Sequence, residues 1–289
     1  MSQPTVGLIG LGLMGTALAE RFLQAGFSVV GFDVASERRH WLTSAGGTAT
    51  ASASDVAAEC DRIVFSLPTS EIVASVTGQL ASTLRPGVTI VDTTTGAPDA
   101  SARLSADLAA HGVRYLDATV VGSSEQVRQR DAIVLVGGDR ATADACQDLF
   151  DCFARQWFHL GPNGSGSRMK LVVNLVLGLN RAVLAEGLTF ARACGLDLAE
   201  TLRVLQAGAA YSRCMDSKGP KMVDQSFFPP QAKLSQHLKD VRLILDEATQ
   251  KELELPLSAI HRELLERVEA AGWGDADNAA ILHAFDKFV

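Results

Sequence analysis

The sequence predicts an α/β protein: an N-terminal doubly wound, mostly parallel sheet followed by an all-helical C-terminal domain, with a long interdomain helix between them. Three observations predict it. Short apolar runs alternate with helical stretches through the first half of the chain. A glycine cluster, VGLIGLGLMG at residues 6 to 15, sits where the first such run meets the first helix. After a Gly-, Pro- and Ser-rich stretch, GPNGSGSRMK at residues 161 to 170, the β pattern stops. A chain of 289 residues has room for two cores. The boundary is placed so that residues 1–162 form the sheet domain and 163–289 the helical domain.

The strands expected in order are Thr5–Ile9, Ser28–Phe32, Arg62–Ser66, Thr89–Asp92, Arg114–Asp117, Ile133–Val136 and Gln156–Leu160. They are short, rich in Val and Ile, and bounded by turn residues. Between them, Met14–Ala25, Ser36–Ala45 and Pro98–Ala110 carry helical spacing. Apolar strands separated by helices imply a sheet covered on both faces. Beyond the linker, one long helical pattern runs from about Ser167 to Cys194 and closes on Gly195, a residue suited to a C-terminal cap. Helices are then expected over Asp197–Gly208, Leu234–Thr249 and Pro256–Ala271, with FFPP at residues 227 to 230 as a break.

Within the cluster, Gly10, Gly12 and Gly15 have the G-x-G-x-x-G spacing, after a strand and at the opening of a helix. In that context the first glycine permits a tight turn, the second lets a pyrophosphate approach the backbone, and the third lets helix and strand pack closely. The free N–H groups and the dipole of the helix start favour anionic phosphates. The second strand ends at Asp33, placed to accept hydrogen bonds from both ribose hydroxyls of an adenosine and to repel a 2′-phosphate. This favours NAD. Arg38 and Arg39 just beyond it can accommodate a phosphate, which keeps NADP as the alternative. A glycine turn in an unrelated α/β fold is the bland reading of the same pattern.

Composition removes other classes. Net charge is −7 and the sequence pI is about 5.4, with no basic run, so no nucleic-acid partner is expected. No apolar stretch of membrane-span length and no secretory leader is expected, so the reading is cytoplasmic with no membrane partner. The five cysteines are odd in number and include no C-x-x-C pair, which suits reduced thiols. The six histidines are scattered, and no metal site is expected. His159, His237 and His261 read as packing or surface residues.

Several segments together resemble the β-hydroxyacid dehydrogenases. GLIGLGLMG resembles that family's dinucleotide fingerprint, with Leu11, Leu13 and Met14 between its glycines. SLP at residues 66 to 68 resembles the loop beside the adenine, which implies that Leu67 and Pro68 touch the cofactor. DTTTG at residues 92 to 96 resembles the D-x-S-T segment and implies that Thr95 faces the nicotinamide ribose; an N-cap before Pro98 is its local alternative. GSGSRMKLVVN at residues 164 to 174 resembles the helix-opening catalytic motif, and LKD at residues 238 to 240 the late K-D pair, which implies that Lys239 reaches the nicotinamide. Read locally, Lys239-Asp240 is a charged helix face. The substrate segment departs from the family pattern: where many members have D-A-P-V-S-G-G, residues 117 to 123 read DATVVGS, followed by Ser124. An asparagine usual in the first helix is Arg21 here.

The resemblance implies a metal-independent oxidoreductase that interconverts a small β-hydroxy acid and its semialdehyde or keto form. Such chemistry needs a group that takes the hydroxyl proton. Lys170, near a helix start that disfavours positive charge, is the candidate; a surface lysine is the local alternative. Asn174, four residues on, shares its face and can orient the substrate. Gly122, Ser123 and Ser124 follow a strand at its C-terminal end and offer N–H groups and hydroxyls to an oxyanion; a polar loop capping the next segment is the alternative. The expected partner is a small anionic hydroxy acid or semialdehyde, in a homodimer or homotetramer. The rivals are an NADPH-dependent semialdehyde or imine reductase and a non-catalytic cofactor-binding protein.

Overall fold

The computed structural model describes residues 3–286. The chain divides into two compact units, one up to Lys170 and one from Leu171 onward.

The first unit begins with β1 (Thr5–Ile9), α1 (Leu13–Gln24), β2 (Ser28–Phe32), α2 (Ser36–Ser44), β3 (Thr48–Ala49) and α3 (Ala53–Glu59). It continues with β4 (Arg62–Phe65), α4 (Ser70–Leu80), β5 (Thr89–Asp92), α5 (Pro98–Ala109), β6 (Arg114–Val121), α6 (Ser124–Arg128) and β7 (Ala132–Gly137). It ends with α7 (Arg140–Asp144), α8 (Gln147–Phe153), β8 (Ala154–His159) and the start of α9 (Ser165–Ala193). One eight-stranded sheet has the order β3-β2-β1-β4-β5-β6-β7-β8. Every neighbouring pair is parallel except β6 and β7. The chain order reverses direction between β1 and β4, the place where open α/β sheets take their ligands.

β1 is central, and its residues pack on both faces. Leu8 belongs to one core with Leu18 and Phe22 of α1; Ile9 belongs to the other with Val56 of α3 and Ile63 of β4. This double burial is why the run is apolar throughout rather than alternating.

All seven expected strands form, with ends differing by a few residues. The largest difference is β6, which continues four residues past Asp117 because Ala118–Val121 pair antiparallel with Ile133–Val136. Helices α3, α4, α6, α7, α8 and α11 and the two-residue strand β3 are additional. α3 is short and is set by a capping box between Ser52 and Asp55, a local signal in ASASD that an aspartate variant makes easy to overlook.

The second unit contains the rest of α9, then α10 (Leu198–Ala207), α11 (Cys214–Val223), α12 (Leu234–Gln250), α13 (Pro256–Val268), a π turn over Glu269–Trp273 and a 3-10 segment over Asn278–Phe285. Its core gathers Leu184 and Leu188 of α9 with Leu234, Leu238 and Val241 of α12 and Leu265 of α13. α11 carries Gly219 and Pro220 in its interior, which hides it from a pattern reading. The buried Lys218–Asp277 pair, 2.8 Å apart, ties α11 to the 3-10 segment.

α9 corrects one expectation. Its length and apolar composition are those of a membrane span, although none was expected; 44% of its most apolar stretch is buried inside the protein.

The first turn of α9 is fixed from the sheet. The Asp117 carboxylate, 1% exposed, accepts Gly164 N–H and Ser167 N–H, each at 2.8 Å. Gly166 lies so close to the strands that a β-carbon there would stand 2.5 Å from the Leu135 carbonyl oxygen. Replacing Asp117 by Ala leaves two buried donors unpaired, and we expect a loss of about 2–4 kcal/mol. Chemical denaturation of Asp117→Ala against the parent measures this, and Asp117→Asn is expected to retain part of it.

Candidate active site

The parallel strands β1, β4, β5 and β6 bring their C-terminal ends to one edge of the sheet. The glycine cluster, Leu67, the Thr93–Gly96 loop and the Gly122–Ser124 corner all lie there, because each directly follows one of those strands.

Gly10 has φ +95°, a left-handed conformation that glycine adopts without strain, and its N–H donates to Phe32 O at 2.9 Å. A β-carbon on Gly15 would collide with the Gly10 carbonyl, so helix and turn are in contact there. Gly12 is different: nothing lies within 4 Å of where its β-carbon would be. Gly12 is also the N-cap of α1, and no side chain caps that helix. The helix start therefore presents amide groups toward open space, the condition a pyrophosphate needs. Between the glycines, Leu11 is buried, Leu13 is 58% exposed, and Met14 packs against the core beneath. These residues fit a dinucleotide.

Asp33 follows β2. Its carboxylate accepts Leu11 N–H at 2.7 Å and Ala35 N–H at 2.8 Å, so the glycine turn itself fixes its orientation. Arg39 donates to the Asp33 carbonyl at 2.6 Å and lies 5.6 Å from the Phe32 ring centroid. Leu67 N–H donates to Thr94 Oγ1 at 3.2 Å, which joins the loop after β4 to the loop after β5. Pro68 is exposed, and Thr95 is half-buried.

Lys170 is half-buried in the second turn of α9, and its Nζ donates to Val120 O of β6 at 2.7 Å. This places the ammonium two residues before Gly122. At that corner Ser123 caps α6: its hydroxyl accepts Gln126 N–H at 3.2 Å, and its own N–H donates to Gln126 Oε1 at 3.0 Å. The capping arrangement coexists with the hydroxyl hydrogen of Ser123, which is still available to donate. Ser124 is the first residue of that helix.

Asn174 and Lys239 belong to the second unit. There Asn174 Nδ2 donates to Asp240 Oδ2 at 2.9 Å, and Lys239 Nζ is 3.5 Å from Asp240 Oδ1. Asp240 thus links the two residues. Arg181, also on α9, is 3% exposed, and burial lowers its pKa.

Sequence reading missed a buried polar group near that edge of the sheet. Asp92 of β5 pairs in register with Asp117 of β6. The Tyr115 hydroxyl donates to Asp92 Oδ2 at 2.7 Å, and Thr94 N–H donates to Oδ1 at 2.9 Å. Burial pushes the Asp92 carboxyl up to about 6, against the hydrogen bonds from Thr94 and Tyr115. Burial likewise raises the Asp117 carboxyl and carries the Tyr115 phenol well above its ordinary value. Asp92 was visible within DTTTG, but nothing local marks Tyr115 as its partner. Among the described residues no cluster of His, Cys, Asp and Glu is arranged to hold a metal ion.

Residues 5–161 match the family described as the NAD binding domain of 6-phosphogluconate dehydrogenase. Residues 164–285 match the one described as the NAD-binding region of NADP-dependent 3-hydroxyisobutyrate dehydrogenase. The chain is 30% identical to a 2-hydroxy-3-oxopropionate reductase from Escherichia coli, over 97% of each chain. It is 28% identical to a 2-(hydroxymethyl)glutarate dehydrogenase from Eubacterium barkeri, over 98% of this chain and 95% of that one. Its structure superposes on a 3-hydroxyisobutyrate dehydrogenase from Salmonella typhimurium with a TM-score of 0.89 and 26% identity, covering 98% of this chain and 100% of that one. The chain belongs to the β-hydroxyacid dehydrogenases, the NAD(P)-dependent oxidoreductases of small hydroxy acids.

Proposed function

We propose that this enzyme interconverts a small β-hydroxy acid and its semialdehyde with Lys170 as the general acid and base. The observation that carries this is the Lys170 Nζ held 2.7 Å from Val120 O, at the strand end that leads into Gly122–Ser124. Bound nicotinamide supplies the acceptor or donor of hydride. In oxidation the neutral Lys170 amine takes the proton of the substrate hydroxyl; in reduction the ammonium polarises the carbonyl and protonates the developing alkoxide. Asn174, one turn further along α9, orients the substrate hydroxyl. The N–H groups and hydroxyls of Gly122, Ser123 and Ser124 receive the carboxylate. Lys239, oriented by Asp240, serves the nicotinamide side, and Thr95 bonds its ribose. Leu67 and Pro68 line the adenine side, with residues 1–162 as the dinucleotide-binding domain and 163–289 as the helical substrate domain.

NAD is the preferred cofactor in this reading. Two backbone N–H groups hold the Asp33 carboxylate in place, and its remaining lone pairs can accept both ribose hydroxyls while its charge repels a 2′-phosphate. Arg39, stacked near Phe32, is the observation that favours the NADP alternative. The enzyme works as a cytoplasmic homodimer or homotetramer; the exposed Val172, Val176, Val183 and Phe190 of α9 support a partner copy.

Lys170→Ala is expected to lower kcat by about 10²- to 10⁴-fold with a small β-hydroxy acid and NAD. NAD binding should stay within about threefold, since the proposed base contributes little to holding the dinucleotide. Lys170→Arg should fail equally, because a guanidinium cannot give up its proton. Retained turnover in Lys170→Ala would assign the acid and base elsewhere, and NAD binding without any lysine-dependent turnover would support the non-catalytic alternative. Separately, Asp33→Ser is expected to shift the kcat/KM ratio of NAD over NADP by about tenfold or more toward NADP, read by nicotinamide absorbance with both cofactors.

A further inference from the structure

The face of α9 that its core does not use is apolar, and its residues are arranged symmetrically. Met169, Val172, Val176, Val183 and Phe190 are 39% to 71% exposed. Met169, Val176, Val183 and Phe190 follow one another at seven-residue steps or a multiple of them, the spacing that keeps side chains on one slowly winding stripe. Val172 and Gly187 lie one turn in from either end of that stripe. Leu177, also exposed, is about a third of a turn round the helix and lies outside it. On the other side of α9, Ala185 and Leu188 are fully buried in the core of the second unit. Each member of the stripe has a counterpart at the same distance beyond the midpoint between Leu179 and Asn180. Val176 answers Val183, Val172 answers Gly187, and Met169 answers Phe190.

This is the pattern of a surface that meets itself. In a two-fold contact, residue i touches j and j touches i. A second α9 laid antiparallel on the first, with the axis at that midpoint, makes each of the three pairs twice. The sizes agree. Val172 faces Gly187, where nothing lies within 4 Å of the position a β-carbon would take. The flexible thioether of Met169 faces the Phe190 ring, a favourable contact. A parallel pairing instead sets Phe190 on Phe190 and Gly187 on Gly187, bulk against bulk and gap against gap. It also aligns the two helix dipoles, whereas reversal places each N-terminus beside the other's C-terminus. Asn180, half-buried, stands at the centre of the stripe. Two such amides can bond each other across the axis, and a single polar residue in an apolar seam specifies register. A lipid surface or an unrelated helix requires no such symmetry.

We propose that α9 pairs with α9 of a second copy of this chain, antiparallel, about a two-fold axis between Leu179 and Asn180. This rests on the reading that the enzyme is a homo-oligomer and gives that reading a geometry. The contact runs about 30 Å along the helix. Its outer ends reach the candidate site: Met169 directly precedes Lys170, so the partner's Phe190 stands beside the turn that carries the lysine.

Disulfide trapping on the full chain tests the orientation. In a chain carrying both Val176→Cys and Val183→Cys, the two thiols of one helix are about 10 Å apart, too far to join. Mild oxidation is therefore expected to link 176 of one copy to 183 of the other, identified by peptide mass spectrometry, which also separates these links from any at the exposed Cys194. Dominant 176–176 or 183–183 links, or no link at either position in a protein that sediments as a dimer, overturn the antiparallel pairing. Val176→Glu and Val183→Glu give a second readout. Both positions are exposed, so circular dichroism should not change. Each variant places two charges in the contact and is expected to raise the dimer dissociation constant about hundredfold or more. An unchanged dissociation constant in both, measured by sedimentation, also overturns the proposal. A parent that sediments as a monomer at every concentration defeats the homo-oligomer reading itself, and this inference with it.

Discussion

The structure of the first unit depends on one buried carboxylate. Asp117 sits in the middle of β6, in register with Asp92 on one side and Gly137 on the other, and accepts the first free amides of α9. A helix start and a carboxylate attract each other, and burial strengthens that attraction while making either group costly to leave alone. Because α9 is one continuous helix from Ser165, fixing Gly164 and Ser167 places Lys170 as well. The lysine reaches Val120 O only because Asp117, three residues earlier on the same strand, has set where the helix begins.

Much of this was legible in the sequence, for reasons that differ by element. β1 and its glycine turn were legible because burial on both faces forces an unbroken apolar run and the phosphate turn forces glycines at fixed spacing. Asp33 was legible because its position is local, at the end of the next strand. The extension of β6 was not, since Ala118–Val121 become strand only by pairing with a segment ten or more residues later. α11 was hidden by Gly219 and Pro220, where packing against Leu202 overrides poor helical propensity.

The candidate site divides along the same line. Lys170, Asn174 and the Gly122–Ser124 corner were found from motifs whose spacing is short. The capping role of Ser123 was one of the two readings left open, and the structure shows the capping box without removing the hydroxyl hydrogen that the other reading needs. Tyr115 carries no motif, and its hydroxyl meets Asp92 only once β5 and β6 have paired. The buried Arg181 was invisible for a related reason: in sequence it is one of five charged residues along α9, and only its 3% exposure distinguishes it.

The single antiparallel pairing in the sheet has a consequence for which part of the chain beside Lys170 can vary. Parallel neighbours are joined by crossovers that carry a helix across a face, so altering one disturbs a core. β6 and β7 run in opposite directions, and the chain between them, from Gly122 to Asp131, turns back through the short helix α6. Val127 of that helix is fully buried in the core shared with Leu18 and Phe22, and Arg128 pairs with Glu20 of α1. Exchanges at the half-buried Gly122–Ser124 corner therefore touch no strand register, whereas the rest of the reversal is tied to the helix that opens at the glycine turn.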